Sequence, residues 1–310
     1  MRRRGGRAII PDAGPEPLHR LLRCELTVVH QQFIHILALR AWGETETAAR
    51  INAVDQVDFP NAMRIIDLLV DRGLPLGLAG DSFAPGAERR SVLLAEQSME
   101  RRIAAVLADC RPADPRAAAL VAAAEAPRAA YVAWLAGAIE QAPPSVPAPP
   151  QGAAEAEAFA WLLALIEQTM VHAFVQWHRG SPSEADWAWA SSGAAMMQAT
   201  DLVQFHAGRR NVPVPAATPA PRTTDDPAEA MRLDCVFAGA CAERAALAAR
   251  EASDGWLGDF WQRVAAHGRA LAAREAGSAH PAVASNPKGF HSFERTLRTK
   301  VRTREPVTYG

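Results

Sequence analysis

The chain has 310 residues, of which 49% are hydrophobic and only 6% aromatic, a length that suits two domains of about 150 residues. Abundant alanine, with no long β-branched runs, favours close-packed helices over sheet, because alanine has the best intrinsic helix propensity. Its 33 Lys and Arg against 34 Asp and Glu give a net charge of −1, which removes the overall field of a nucleic-acid or acidic-surface binder.

The four cysteines, Cys24, Cys110, Cys235 and Cys241, show no CxxC or zinc spacing and read as reduced, buried thiols of a cytoplasmic protein. Residues 1–15 are expected to be a flexible N-terminus. They open on Met1-Arg2-Arg3-Arg4, but Gly and Pro follow where a secretory signal would have its apolar core. No apolar run is expected to be long enough to cross a bilayer.

The first predicted helix covers Leu18 to Trp42, where Leu18, Leu21, Leu22, Glu25, Val28, Gln32, Ile36 and Leu39 recur at three- and four-residue steps. Gly43 breaks it. A second helix runs from Thr45 to Arg72 and should be kinked or divided at Pro60, since proline lacks the donor for the backbone ladder. Residues 73–88 are rich in Gly and Pro and read as a long crossing loop. A third helix covers Glu88 to Asp109. A fourth covers Pro115 to Gln141, with Pro127 as a second kink or break.

Residues 143–150, Pro-Pro-Ser-Val-Pro-Ala-Pro-Pro, form a semi-rigid spacer. The order then repeats. Helices are predicted over Glu155–Arg179, Glu184–Arg210, Pro227–Glu251 and, from an N-cap at Asp254, to about Gly277, with a Pro-rich crossing at 212–221. The tail, residues 278–310, is basic and without period. The expected architecture is thus all-α, with two tandem four-helix bundles over 16–142 and 151–277. One long crossover between the second and third helices of each is the ferritin-like arrangement.

A six-residue echo points the same way. Glu25-Leu-Thr-Val-Val-His30 returns 142 positions later as Glu167-Gln-Thr-Met-Val-His172, as if one unit had been copied in tandem. Glu25 and His30 point about 140° apart on a helix, so His30 reads as an interhelical or surface residue, whereas Gln32 shares the Glu25 face.

Leu21-Leu-Arg-Cys-Glu25-Leu-Thr-Val-Val-His-Gln-Gln-Phe-Ile-His35, Trp42-Gly43, Arg72-Gly-Leu-Pro75 and Glu100 resemble bacterioferritin within the ferritin-like superfamily, over about Leu18 to Leu107. The resemblance implies two metals held by a Glu from each of two helices and a Glu-x-x-His pair from each of the others. Glu25 and Glu100 match the lone carboxylates. The second-helix pair falls on Asp58 and Asn61, and the fourth-helix pair on Glu125 and Arg128, so both imidazoles are missing. An inward Arg128 would instead pair with two of the carboxylates and satisfy them without metal. Haem is not implied, because Phe59 stands where the family has its haem Met.

In the second copy, Glu167 and Glu243 are the analogues of Glu25 and Glu100, and His206 and His267 are the imidazoles that would join them. The six tryptophans of that half read as core and end packing. The resemblance leads to an iron-handling protein or dioxygen-dependent oxidoreductase, with iron or manganese at an atypical or partly lost site. Its partners would be dioxygen or a small-molecule substrate. The rival reading is a non-catalytic duplicated scaffold that meets a protein partner through the C-terminal tail. A third is a His-rich thiol-transferase-type bundle with one metal in the second half. No nucleic-acid or membrane partner is expected, and the chain should be a monomer or homodimer.

Overall fold

The computed structural model describes residues 17–74, 76, 86–112, 114–144, 151–209, 215, 219–224 and 226–274. The N-terminus, most of both crossings, most of the proline spacer and the basic tail lie outside the described residues. Those described are all-helical, with no strand among them: α1 (Pro17–Ala41), α2 (Thr45–Asp71), α3 (Arg89–Asp109), α4 (Pro115–Glu125), α5 (Arg128–Gln141), α6 (Ala153–Arg179), α7 (Pro182–Ala207), α8 (Pro227–Glu251) and α9 (Gly255–Ala272).

The helix starts follow from local chemistry. Asp114 and Asp226 each precede a proline at the first helical position and accept from the exposed amides of the first turn, a pairing that satisfies donors the helix cannot. Asp254 accepts from Trp256 and Leu257, as its sequence context predicts. Glu88 and Ser91 cap α3 reciprocally. The two interior prolines differ. Pro127 divides the fourth predicted helix into α4 and α5, whereas α2 runs through Pro60 as one element.

α1 packs on α2 and α3, and α6 on α7 and α8; α3 meets α5 as α8 meets α9; α2 meets α4 as α7 meets α9. The halves join through α1 on α7 and α2 on α6, where the rings of Phe59 and Phe174 meet edge to face at 6.1 Å. One apolar core runs through both halves, and a smaller cluster around Ile36, Ile51, Leu93 and Leu135 fills the end of the first.

Helix α6 corrects the expectation that no run is long enough to cross a membrane. By length and composition it passes that test, yet 94% of its apolar window is buried inside the fold. It is the central core helix, and it carries buried Glu167, Gln168, His172 and Gln176.

The helix bounds also correct the register of the echo. Gly43 and Gly180, both left-handed at φ 83° and 81°, end α1 and α6 and lie 137 positions apart. Thr45 and Pro182 open α2 and α7 at the same interval, and the caps Glu88 and Asp226 are 138 apart. The echo at 142 is five residues out of this register, about 140° around a helix. Glu167 therefore does not take the place of Glu25.

Candidate functional site

Glu25 on α1, Asp58 on α2 and Glu100 on α3 converge in the interior of the first half, each at most 2% exposed. The group between them is the guanidinium of Arg128, the first residue of α5. One terminal nitrogen donates to both carboxylate oxygens of Glu100 at 2.8 and 3.1 Å; the other donates to Glu25 at 2.9 Å and Asp58 at 3.0 Å. The planar fork of Arg matches this arrangement, which a lysine ammonium would not reproduce.

A second layer lies beside the first. Glu96, one turn before Glu100 on α3, accepts from Tyr131 Oη at 2.7 Å and pairs with His35 Nδ1 at 2.5 Å. Gln31 and Gln32 reach it at 3.5 and 3.4 Å, and Gln32 also reaches Asp58 at 3.5 Å. Asp58 thus links the layers, and Arg128 and Tyr131 enter them from one face of α5, three residues apart. Trp134 stacks on the Tyr131 ring.

Three carboxylates share one cation, so they cannot all ionise freely. Burial raises the Glu25 carboxyl to about 8, with the charge of Asp58 adding to it and Arg128 opposing. Burial also raises Asp58 and Glu100, again against Arg128. For Arg128 itself burial works against the charge, but the three carboxylates outweigh it and hold the guanidinium charged. Burial thus keeps protons on these carboxyls to higher pH than on free ones, while Arg128 stays charged. Glu25 Oε2 and Arg128 Nε have no hydrogen-bond partner.

Of the predicted ligands, Glu25, Asp58 and Glu100 are brought together. Glu125 is not: it ends α4 on an exposed face, and the Pro127 interruption puts it on a different helix from Arg128. Glu243 is likewise exposed. His206 pairs with Glu155 of its own half, and His267 on α9 is half-buried. Glu167 is buried but turned toward the first half, where His30 Nδ1 lies 3.7 Å away.

The site residues that sequence reading passed over are His35, Glu96 and Tyr131, with Gln168, His172 and Asp234 in the second half. There Asp234 on α8 accepts from Gln168 at 3.0 Å and pairs with His172 Nδ1 at 2.7 Å. Gln31-x-x-x-His35 and Gln168-x-x-x-His172 are 137 positions apart, and Glu96 and Asp234 are 138 apart. In each half, then, a Gln and a His one turn apart on α1 or α6 bind an acid of α3 or α8.

The Arg128 cluster has no polar counterpart. At the same intervals Glu25, Asp58 and Glu100 correspond to Leu162, Ala195 and Ala238, all buried. The caps Asp114 and Asp254 set an interval of 140 for the last helix, which places Gly268 opposite Ala238 where Arg128 stands opposite Glu100. The helices close tightly there: a Cβ on Gly268 would lie 2.8 Å from the Ala238 carbonyl oxygen.

The donor set does not fit a di-metal centre. The point where the three carboxylates converge is filled by a guanidinium, and no imidazole joins it. Among the described residues no group of three His, Cys, Asp or Glu side chains is arranged to hold a metal ion. Compared with known proteins, the chain matches no family model, and no curated protein or solved structure matches it.

Proposed function

We propose that the chain is a duplicated ferritin-like pair of four-helix bundles, one long crossover in each, that works without metal as a non-catalytic scaffold. The observation that carries this reading is the Arg128 guanidinium bonded to Glu25, Asp58 and Glu100 at 2.8–3.1 Å. It supplies from within the chain the positive charge that a cluster of buried acids requires. The second half supports the same reading, since Leu162, Ala195, Ala238 and Gly268 fill the equivalent place with hydrocarbon. A buried ionic cluster can give way to hydrocarbon, and here, where the side chains are smaller, the helices close together instead. A scaffold needs a protein to hold, and the basic segment 278–310 is the proposed contact.

Elemental analysis of protein made in iron- and manganese-supplemented medium tests it. The expected result is well under one metal per chain and a melting temperature unchanged by chelator. About one or two irons per chain, lost on Glu25→Ala, would overturn the proposal in favour of a dioxygen-using metal-carboxylate protein.

A further inference from the structure

A space of about 450 Å³ opens at the end of the first half, where α2 and α3 begin and α5 ends. Ala133, Trp134, Gly137 and Ala138 of α5 give it an apolar side. Glu46, Thr47 and Arg50 of α2, with Arg89 of α3, give it a polar one. The Tyr131 ring stacks on Trp134 at 5.5 Å and so fixes the indole at the border of the space. A Cβ on Gly137 would meet nothing within 4 Å, so the glycine leaves that border open.

Two opposite charges on the polar side are unmatched. Glu46 and Arg50 are exposed and lie one turn apart on one face of α2. Among the described residues neither makes an ion pair or a hydrogen bond, with the other or with a neighbour. Arg89 shares its charge with Glu44 at 3.3 Å, and its Nε has no partner. In the second half an arginine and a tryptophan do meet, the Arg274 guanidinium lying 4.1 Å over the Trp187 ring. These two follow Trp134 and Arg50 by 140 and 137 positions. There the cation covers the indole; in the first half Arg50 and Trp134 do not stack, and both border open space.

We propose that this space binds a free α-amino acid with an aromatic side chain. The ring lies on Trp134 beside Gly137, the carboxylate pairs with Arg50, and the ammonium pairs with Glu46. Aromatic rings favour such offset stacking, and the Arg fork matches a carboxylate. An apolar lining with a few convergent polar groups is the usual form of a small-molecule site. The charges of the lining select the ligand class. Arg50 and Arg89 stand against Glu46, and Glu44 already takes up Arg89, so a zwitterion matches the site better than an anion or a cation does. None of the carboxylates around Arg128 takes part, so the site stands whichever way the metal analysis falls.

Calorimetric titration of the full chain with L-tryptophan, and with three probes that each lack one feature, tests the proposal. Tryptamine lacks the carboxylate, indole-3-propionate the ammonium, and L-alanine the ring. L-Tryptophan should bind with a Kd below about 1 mM, and each of the others at least about tenfold more weakly. Arg50→Ala, at an exposed position, should weaken L-tryptophan about tenfold or more while leaving the melting temperature of the free protein unchanged. Gly137→Leu, whose side chain would enter the space, should abolish binding in a protein that still melts cooperatively. L-Tryptophan failing to bind, any of the three probes binding as tightly, or either variant binding as the parent does would each overturn it.

Discussion

His30 of α1 and Glu167 of α6 face each other at 3.7 Å across the layer that joins the halves, and they lie 137 positions apart. The same interval separates Gly43 and Gly180, the glycines that end α1 and α6. His30 and Glu167 are both buried. Burial lowers His30 to about 4 and raises Glu167 to about 7, with Arg23 opposing the latter.

The two shifts act on stability with opposite signs. Glu167 binds its proton more tightly folded than unfolded, so its contribution falls as pH rises from about 4.5 to 7 and is level above. His30 binds its proton less tightly folded, so its contribution rises from about 4 to 6.5. Glu167→Gln removes the first slope only. Its stability relative to the parent, from urea denaturation across a pH series, should grow by about 1–3 kcal/mol between pH 4.5 and 7, then stay constant. A difference independent of pH would show that Glu167 does not titrate in this window.

Arg128→Leu should cost about 3–5 kcal/mol at pH 8, because three buried acids lose the cation that serves them. The cost should shrink toward pH 5 as the carboxyls take up protons. Glu125→Ala, on an exposed face, should change stability by no more than about 0.5 kcal/mol. Replacing Glu25, Asp58 and Glu100 with Leu together with Arg128→Met should recover most of the single-variant loss, since a whole buried ionic cluster is replaceable by hydrocarbon. Chemical denaturation of the three variants separates these outcomes.

Much of this site was legible in the chain. Periodicity placed the helices, and the resemblance to bacterioferritin pointed to Glu25, Asp58 and Glu100, with Arg128 as the alternative to metal. What periodicity cannot give is the register between helices. Glu96 and Tyr131 lie one turn or less from predicted positions, yet their pairing depends on how α3 and α5 slide past one another. The echo misled for the same reason: Glu25…His30 and Glu167…His172 match as letters, whereas the packing aligns Gln31…His35 with Gln168…His172. The prolines show the limit of local rules. Pro60 sits among buried Phe59, Asn61 and Ala62, whose packing holds α2 together, while Pro127 follows exposed Glu125 and Ala126 and the helix divides there.

Glu25 gives a pH prediction of its own. Its carboxyl is raised from 4.5 to about 8, chiefly by burial, so the folded state loses stability relative to the unfolded chain as pH rises through that interval. Glu25→Gln keeps the shape and removes the titration. It should be nearly neutral at pH 5 and stabilising by about 1–3 kcal/mol at pH 9, read from denaturation midpoints at constant m-value. Equal effects at both pH values would mean that Glu25 is ionised throughout and that Arg128 serves all three acids as full charges.

Gly268 tests the equivalence of the two interiors. A methyl there would meet the Ala238 carbonyl oxygen at 2.8 Å and the Ala242 Cβ at 3.0 Å, with backbone on one side that cannot yield as a flexible side chain would. Helix propensity alone favours Ala over Gly by about 1 kcal/mol, and overpacking a closed interface costs about 1–3 kcal/mol. The clash should win, so Gly268→Ala should be destabilising. Gly137→Ala, in a helix where a Cβ meets nothing within 4 Å, should stabilise by up to about 1 kcal/mol. Thermal melts of the two variants should therefore move in opposite directions; a Gly268→Ala protein that melts higher would mean that α8 and α9 do not close over the place that Arg128 fills in the first half.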